Sequence, residues 1–329
     1  NCILIDPKLI LLGGFGRSGT TGIRELLKGH SDITSTDKSE LRILTDPGGF
    51  ISLKNVFVDN WTFWRGDHAI HEFKALCKDL NSKWFGGYAL ANFKAEFCGN
   101  FEVANKQLLD NLVQSSYYGK WIKHSNIFYK LLSRLLKQKR LKMFNREIFI
   151  TRSLDYSQFK EITRKYFNTL VEKKLQEDMA SMYIIDEPFI SQNPKECMDI
   201  TGANKLIVIL RDPRDVFQSF QGRDWTPRDK DSTLTYLKSV YSCWTRKKEQ
   251  LPKELYLELK LEDIVSNFSE TYKRLCQFLN IDPKDDILLN TNYSPEKAHI
   301  GRWREELSNK EKEELNNYFS KLITQLNYI

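Results

Sequence analysis

The chain has 329 residues, 41% of them apolar and 28% charged, proportions of a folded globular protein that exclude a disordered or low-complexity one. No run approaches the roughly 18 consecutive apolar residues of a membrane span, and residues 2–12 lack the basic leader and small-residue cleavage site of a signal peptide. The net charge of +7, from 50 basic and 43 acidic residues, favours an anionic ligand such as a nucleotide, a sulfated or phosphorylated glycan, or nucleic acid, although a lysine-rich surface gives the same excess.

Residues 8–13 form a short apolar run ending in glycine, which predicts a buried strand. Residues 20–29 then show helical spacing, with Ile23, Leu26 and Leu27 apolar and Gly29 as a stop. Strand, glycine-rich turn and helix together open an α/β unit. Residues 31–36 are mostly polar and do not read as a second apolar strand.

The stretch from about 50 to 174 is rich in aromatics and lysine, with helical patterns at 104–113, 127–141 and 156–174. It predicts a mainly helical insertion over the sheet. Within it, Lys130, Arg134, Lys137, Lys139, Arg140, Lys142 and Arg146 ride opposite Leu131, Leu132, Leu135 and Leu136. That pattern is a solvated basic face or a groove for an acidic acceptor.

Parallel-sheet character returns at 182–185, which ends in Asp186-Glu187-Pro188, and at 205–210, which ends in Arg211. Val216, Phe217 and Phe220 then begin a helix. A third strand at 255–261 precedes a helix at 269–279, and residues 307–326 form a charged helix. The predicted fold is α/β: a P-loop-kinase-like central parallel sheet flanked by helices, with the helical insertion. One domain over 1–329 fits this order, with residues 50–175 as the acceptor-binding region.

Six cysteines are scattered without a C-x-x-C pair, so neither a zinc nor a redox site is expected. Free thiols favour the cytoplasm; the Golgi lumen is the alternative if an N-terminal anchor has been trimmed. The sequons at Asn60, Asn267 and Asn292 decide nothing.

Gly14-Phe15-Gly16-Arg17-Ser18-Gly19-Thr20-Thr21 carries the chemistry. A strand leading through glycines into a helix N-terminus is a natural anion site, because backbone N–H groups there lack helical partners. Ser18, Thr20 and Thr21 add hydroxyls, and Arg17 adds a charge-assisted fork. Three readings follow. Gly14, Gly16 and Gly19 satisfy the dinucleotide pattern G-x-G-x-x-G, with Asp37 or Glu40 as the ribose-binding acid, but no apolar strand leads to that acid. Gly14 and Gly19 also have P-loop kinase spacing, but Thr20 stands where the lysine belongs and the cation has moved to Arg17.

The third reading accounts for that displacement. Arg17-Ser18-Gly19-Thr20-Thr21 resembles the 5′-phosphosulfate loop of the sulfotransferases that use 3′-phosphoadenosine 5′-phosphosulfate (PAPS). The arginine form resembles the tyrosylprotein and carbohydrate enzymes most. A second segment, 206–220, looks like the family's 3′-phosphate element, in which an arginine and a serine eight positions apart hold the phosphate; here they are Arg211 and Ser219. Gly301-Arg302-Trp303 resembles the C-terminal loop that folds over the nucleotide in many members.

The resemblance implies transfer of a sulfuryl group from PAPS to a hydroxyl or amine of a carbohydrate, peptide or small molecule, with PAP as product. In-line sulfuryl transfer itself needs no metal, and neither a nucleic-acid partner nor a membrane span in this chain is expected. Arg17, Ser18, Gly19, Thr20, Thr21, Arg211, Ser219, Gly301 and Arg302 would hold the nucleotide, and Arg17 would also neutralise the leaving side. The general base falls to Glu40 first, in a segment resembling the catalytic-glutamate segment of tyrosylprotein and heparan-type enzymes. Asp37, His68, His71 and His124 are the alternatives. Glu187 stands in a segment where the family often has lysine, which makes an acidic acceptor less obvious. A P-loop kinase and a non-catalytic nucleotide-binding protein are the competing classes.

Overall fold

The computed structural model describes residues 8–37, 40–82, 91–120, 145–289, 291–295 and 298–328. Among them the strands are β1 (Lys8–Gly13), β2 (Ile33–Ser35), β3 (Val113–Gly119), β4 (Arg146–Thr151), β5 (Met182–Asp186), β6 (Lys205–Leu210) and β7 (Tyr256–Lys260). Five of them form one sheet in the order β2-β5-β1-β6-β7, every pair parallel. β1, β5 and β6 are near-continuous apolar runs because a parallel strand is covered on both faces.

Successive side chains of these strands alternate between two cores. Leu9, Leu11, Ile185, Leu206 and Val208 join one cluster, while Ile10, Leu12, Ile184, Ile207 and Ile209 join the other. The second cluster is covered by Thr20–Lys28, through Ile23, Leu26 and Leu27, and by Phe268–Leu279. The first is covered by Lys230–Lys247 and by helices of the 50–175 region, which contribute Phe73, Phe101 and Phe167. Helices therefore lie on both faces of a parallel sheet.

The chain leaves β1 toward β2 and β5 on one side and later adds β6 and β7 on the other. β1 is thus the point where the strand order reverses. A crevice opens there, outside the carboxyl ends of the strands.

Two expectations need correction. The polar stretch 31–36 does contain a strand, β2, with all three of its residues buried. It is an edge strand with a single partner, β5, so it needs only one ladder and three residues. The 50–175 region is not helical throughout, because β3 and β4 pair antiparallel within it. Most of β3 is exposed, so no apolar alternation announces it. The helix expected at 127–141, with Lys130 to Lys142, lies outside the described residues. Arg146 starts β4 and pairs with the fully buried Asp67, which also accepts from Phe149 N at 2.9 Å. It serves this pairing rather than a solvated basic face.

The helices expected at 156–174 and 307–326 are present as Tyr156–Glu177 and Asn309–Gln325, each opened by a capping box. Cys77, Cys98, Cys197, Cys243 and Cys276 are free thiols. No helix among the described residues is long and apolar enough to cross a membrane.

Candidate functional site

The glycine-rich loop owes its shape to close backbone approaches. Gly14 N donates to Pro188 O at 3.0 Å, and Ser191 Oγ donates to Gly14 O at 2.5 Å, which ties the loop to the end of β5. A Cβ on Gly14 would collide with Ser18 Oγ, so only glycine lets the loop close on itself. Ser18 is buried and its hydroxyl accepts from Phe15 N at 3.2 Å; it braces the loop and does not line the cleft. Gly16, Arg17 and Gly19 adopt φ of 72°, 57° and 98°, and a left-handed arginine is uncommon. Gly19 then caps Thr20–Lys28 without a side-chain bond, so the first-turn N–H groups are left for an anion.

A cleft of about 910 Å³ lies beside this loop. Of the residues expected in the site, Arg17, Gly19, Thr20, Thr21, Glu40, Arg211, Ser219 and Arg302 line it. Arg17 Nε donates to Ser219 Oγ at 3.0 Å, joining the two elements that the sequence treats separately. Arg211 is buried; it donates through Nη1 to Arg17 O at 2.9 Å and through Nη2 to His299 O. Its Nε has no hydrogen-bond partner among the described residues. Burial first, then the charges of Arg223 and Arg211, pull the Arg17 guanidinium below its usual range. Among the described residues neither Arg17 nor Arg211 forms an ion pair with a carboxylate. Mutually repelling, partly buried cations of this kind are an anion site in waiting.

The C-terminal segment is pinned over the cleft by the helix Pro213–Phe220. Asp215 is buried and accepts from Gly301 N at 2.6 Å and Trp303 N at 3.2 Å. Arg214 pairs with Asp212 at 2.6 Å and stacks over Trp303 at 4.0 Å. Gly301, with φ of 77°, is held by Asp215 and does not line the cleft. Arg302 stands on its rim and pairs with Glu306 at 2.6 Å.

Glu40 lines the cleft and pairs with Arg42 at 3.3 Å. Asp37 does not line it. Its carboxylate is bonded to Lys28 at 2.8 Å, which holds its pKa below the ordinary value. His68 pairs with Glu72 at 3.3 Å and His71 bonds Glu147 O at 3.0 Å; neither lines the cleft. His124 lies outside the described residues.

The acidic pair that closes β5 has a different task. Leu41 N donates to Asp186 O at 3.0 Å, and Glu187 accepts from Leu44 N at 3.1 Å, Thr45 N at 2.6 Å and the Thr45 hydroxyl. Both carboxyl groups are fully buried, and burial pushes each up to about 7, against the pull of Arg24 on Asp186 and of the Thr45 donors on Glu187. The Asp186 carbonyl and the Glu187 carboxylate anchor the segment that follows Glu40, while the Asp186 carboxylate pairs with Arg24 at 3.2 Å. Arg24, Arg42, Trp225, Tyr293 and His299 line the cleft without having been expected. Arg24 was within reach of the sequence, since it lies one helical turn beyond Thr20. Arg42 and His299 fall within the segments that resemble the catalytic-glutamate and C-terminal elements without having been singled out, and Trp225 and Tyr293 sit in loops without a motif.

A family model described as "Sulfotransferase family" matches residues 103–286, more than half of the chain. The match contains Arg211 and Ser219, and it reaches back over residues 103–175 of the predicted insertion. Among solved structures, the sulfotransferase domain from the curacin biosynthetic pathway is 16% identical, over 88% of this chain and 80% of that one, with a TM-score of 0.44. The sulfotransferase domain from the Synechococcus PCC 7002 olefin synthase is 14% identical over 92% and 83%, with a TM-score of 0.44. Sulfotransferase STF9 from Mycobacterium avium is 13% identical over 98% and 77%, with a TM-score of 0.41. None of the curated proteins compared matches the chain in sequence.

Proposed function

The chain belongs to the sulfotransferase family, and we propose that it moves a sulfuryl group from PAPS to a hydroxyl, or an amine, of a glycan, peptide or small-molecule acceptor, releasing PAP. The observation that carries this reading is the Arg17–Ser219–Arg211 constellation: two guanidinium groups without carboxylate partners among the described residues, one bonded to a serine hydroxyl, beside an open helix N-terminus. A nucleotide with phosphates at both ends of its ribose needs two adjacent anion sites, and this cleft offers them.

In this reading Arg211, Ser219 and Arg302 hold the 3′-phosphate. Gly19, Thr20 and Thr21 hold the 5′-phosphosulfate through backbone N–H groups and hydroxyls, and Ser18 supports them from within the loop. Arg17 stands between the two and adds charge to both. Glu40 takes the acceptor proton as the acceptor oxygen bonds to sulfur. The sulfur–oxygen bond to the 5′-phosphate breaks, and its electron pair leaves with that phosphate. Arg17 and the loop N–H groups meet the charge that grows there, so positioning and charge neutralisation do most of the catalysis. We read residues 1–329 as one domain with 50–175 on the acceptor side; the core cluster that runs from β1 and β6 into Phe73 and Phe101 supports this.

Ligand-induced stabilisation tests the donor. PAP at 100 times its Kd stabilises the folded state by about 2.7 kcal/mol, and magnesium is not required. ATP with magnesium should have little effect. Stabilisation by ATP and magnesium alone would transfer the site to a kinase, and the absence of any PAP effect would defeat the donor reading. Turnover is then sought with labelled PAPS against a panel of acceptors.

A further inference from the structure

A second cavity of about 390 Å³ adjoins the main cleft, and Arg42 and Phe189 line both. The Arg42 guanidinium lies 5.5 Å from the centre of the Phe189 ring, so the two side chains form the partition. Arg42 is held there by a backbone with φ of 60°, a conformation that a non-glycine residue keeps only where its surroundings impose it. On the cleft side Arg42 pairs with Glu40 at 3.3 Å. On the cavity side it pairs with the buried Asp46 through Nη2 at 3.0 Å and Nε at 3.1 Å.

We infer that this cavity is the acceptor subsite and that it takes a neutral, polyhydroxylated ring, a saccharide unit, beside the Tyr236 and Phe189 rings. The inference rests on the donor reading above for its chemistry, but not for its geometry. Three features select this class. Phe189 and Tyr236 are half-buried aromatic rings in the lining, surfaces on which a saccharide's C–H face can lie. Gln192 and Asn193, also half-buried in the lining, show no side-chain hydrogen bond among the described residues. Each amide offers two donors and an acceptor, a match for neighbouring hydroxyls. The ionised groups in the lining, Arg42 and Asp46, neutralise each other through a two-point contact, so an anionic glycan finds no uncommitted cation there. A phenol or steroid would call instead for a mainly apolar wall.

Because Arg42 and Phe189 belong to both linings, the cavity lies directly beside the cleft that Glu40, the proposed base, lines.

The test uses the whole chain and three neutral disaccharides, cellobiose, lactose and maltose, with 2-naphthol and a heparin disaccharide as contrasts. Binding is followed by saturation-transfer NMR with and without PAP. At least one neutral disaccharide should bind, better than either contrast. Its affinity should fall at least tenfold in Tyr236→Ala and Gln192→Ala, while PAP affinity, which also reports that the variants are folded, stays within twofold. Binding of none of the three, preference for 2-naphthol or the heparin disaccharide, or unchanged disaccharide affinity in both variants would overturn the subsite. Failure of the wild-type chain to bind PAP would overturn the donor reading alone, because disaccharide binding is measured without PAP as well.

Discussion

Arg17 donates through Nε to the hydroxyl of Ser219 at 3.0 Å, across 202 positions of sequence. The contact exists because β1 and β6 are paired, Gly13 opposite Val208, so the loop after one strand faces the helix after the other. It joins the glycine-rich loop to the Arg211 element within one anion site. Four expectations follow from the site and its supports.

Removing either partner should weaken the nucleotide. Ser219→Ala deletes a hydroxyl and leaves Arg17 without its acceptor, and a hydrogen bond to a charged group contributes about 1.5–3 kcal/mol. PAP affinity should therefore fall by about 10- to 100-fold in calorimetric titration. Arg17→Lys should lose at least as much, because an ammonium cannot reproduce the planar fork. Wild-type affinity in both variants would remove Arg17 and Ser219 from the site.

The two acidic candidates separate by location. Glu40→Gln should lower kcat by about 10²–10⁴-fold, the usual share of a general base, with PAP affinity unchanged. Asp37→Asn should leave kcat near wild type, because Asp37 is bonded to Lys28 away from the cleft. Steady-state kinetics with labelled PAPS distinguishes them, and the reverse pattern would make Asp37 the base.

Asp215 tests the strap over the cleft. Its carboxylate accepts from both Gly301 N and Trp303 N, so Asp215→Ala frees the segment that carries Arg302. Loss of these bonds should cost about 1–3 kcal/mol of stability and weaken PAP binding by about tenfold. Urea unfolding and calorimetry on the same preparation read both effects. Weaker stability with unaltered PAP affinity would mean that the segment does not touch the nucleotide.

The buried pair sets a pH dependence of stability. Burial raises Asp186 and Glu187 to about 7, so the folded state holds these protons more tightly than the unfolded chain does. Their contribution is complete below the unfolded values of 3.8 and 4.5 and is lost as pH rises through about 7. Each group can contribute a slope of up to about 1.4 kcal/mol per pH unit in that window. Glu187→Gln removes one titration, so the stability difference should move in favour of the variant as pH rises from 5 to 8. Urea unfolding at four pH values measures it, and a constant difference would refute the assignment.

Much of this protein is written in local pattern. Apolar runs at 8–13, 182–185 and 205–210 announce strands buried on both faces, and glycines leading into a helix announce an anion site; both signals depend on neighbouring residues alone. β2 escaped because an edge strand needs little apolar character, and β3–β4 because an exposed strand shows no alternation. The tertiary structure alone decided that Arg17 meets Ser219 and that Glu40 rather than Asp37 faces the cleft. It also turned Glu187 inward to hold the 44–45 backbone. Each of these depends on which strand lies beside β1 and in what register, and that is set by packing the whole sheet between its two helical layers.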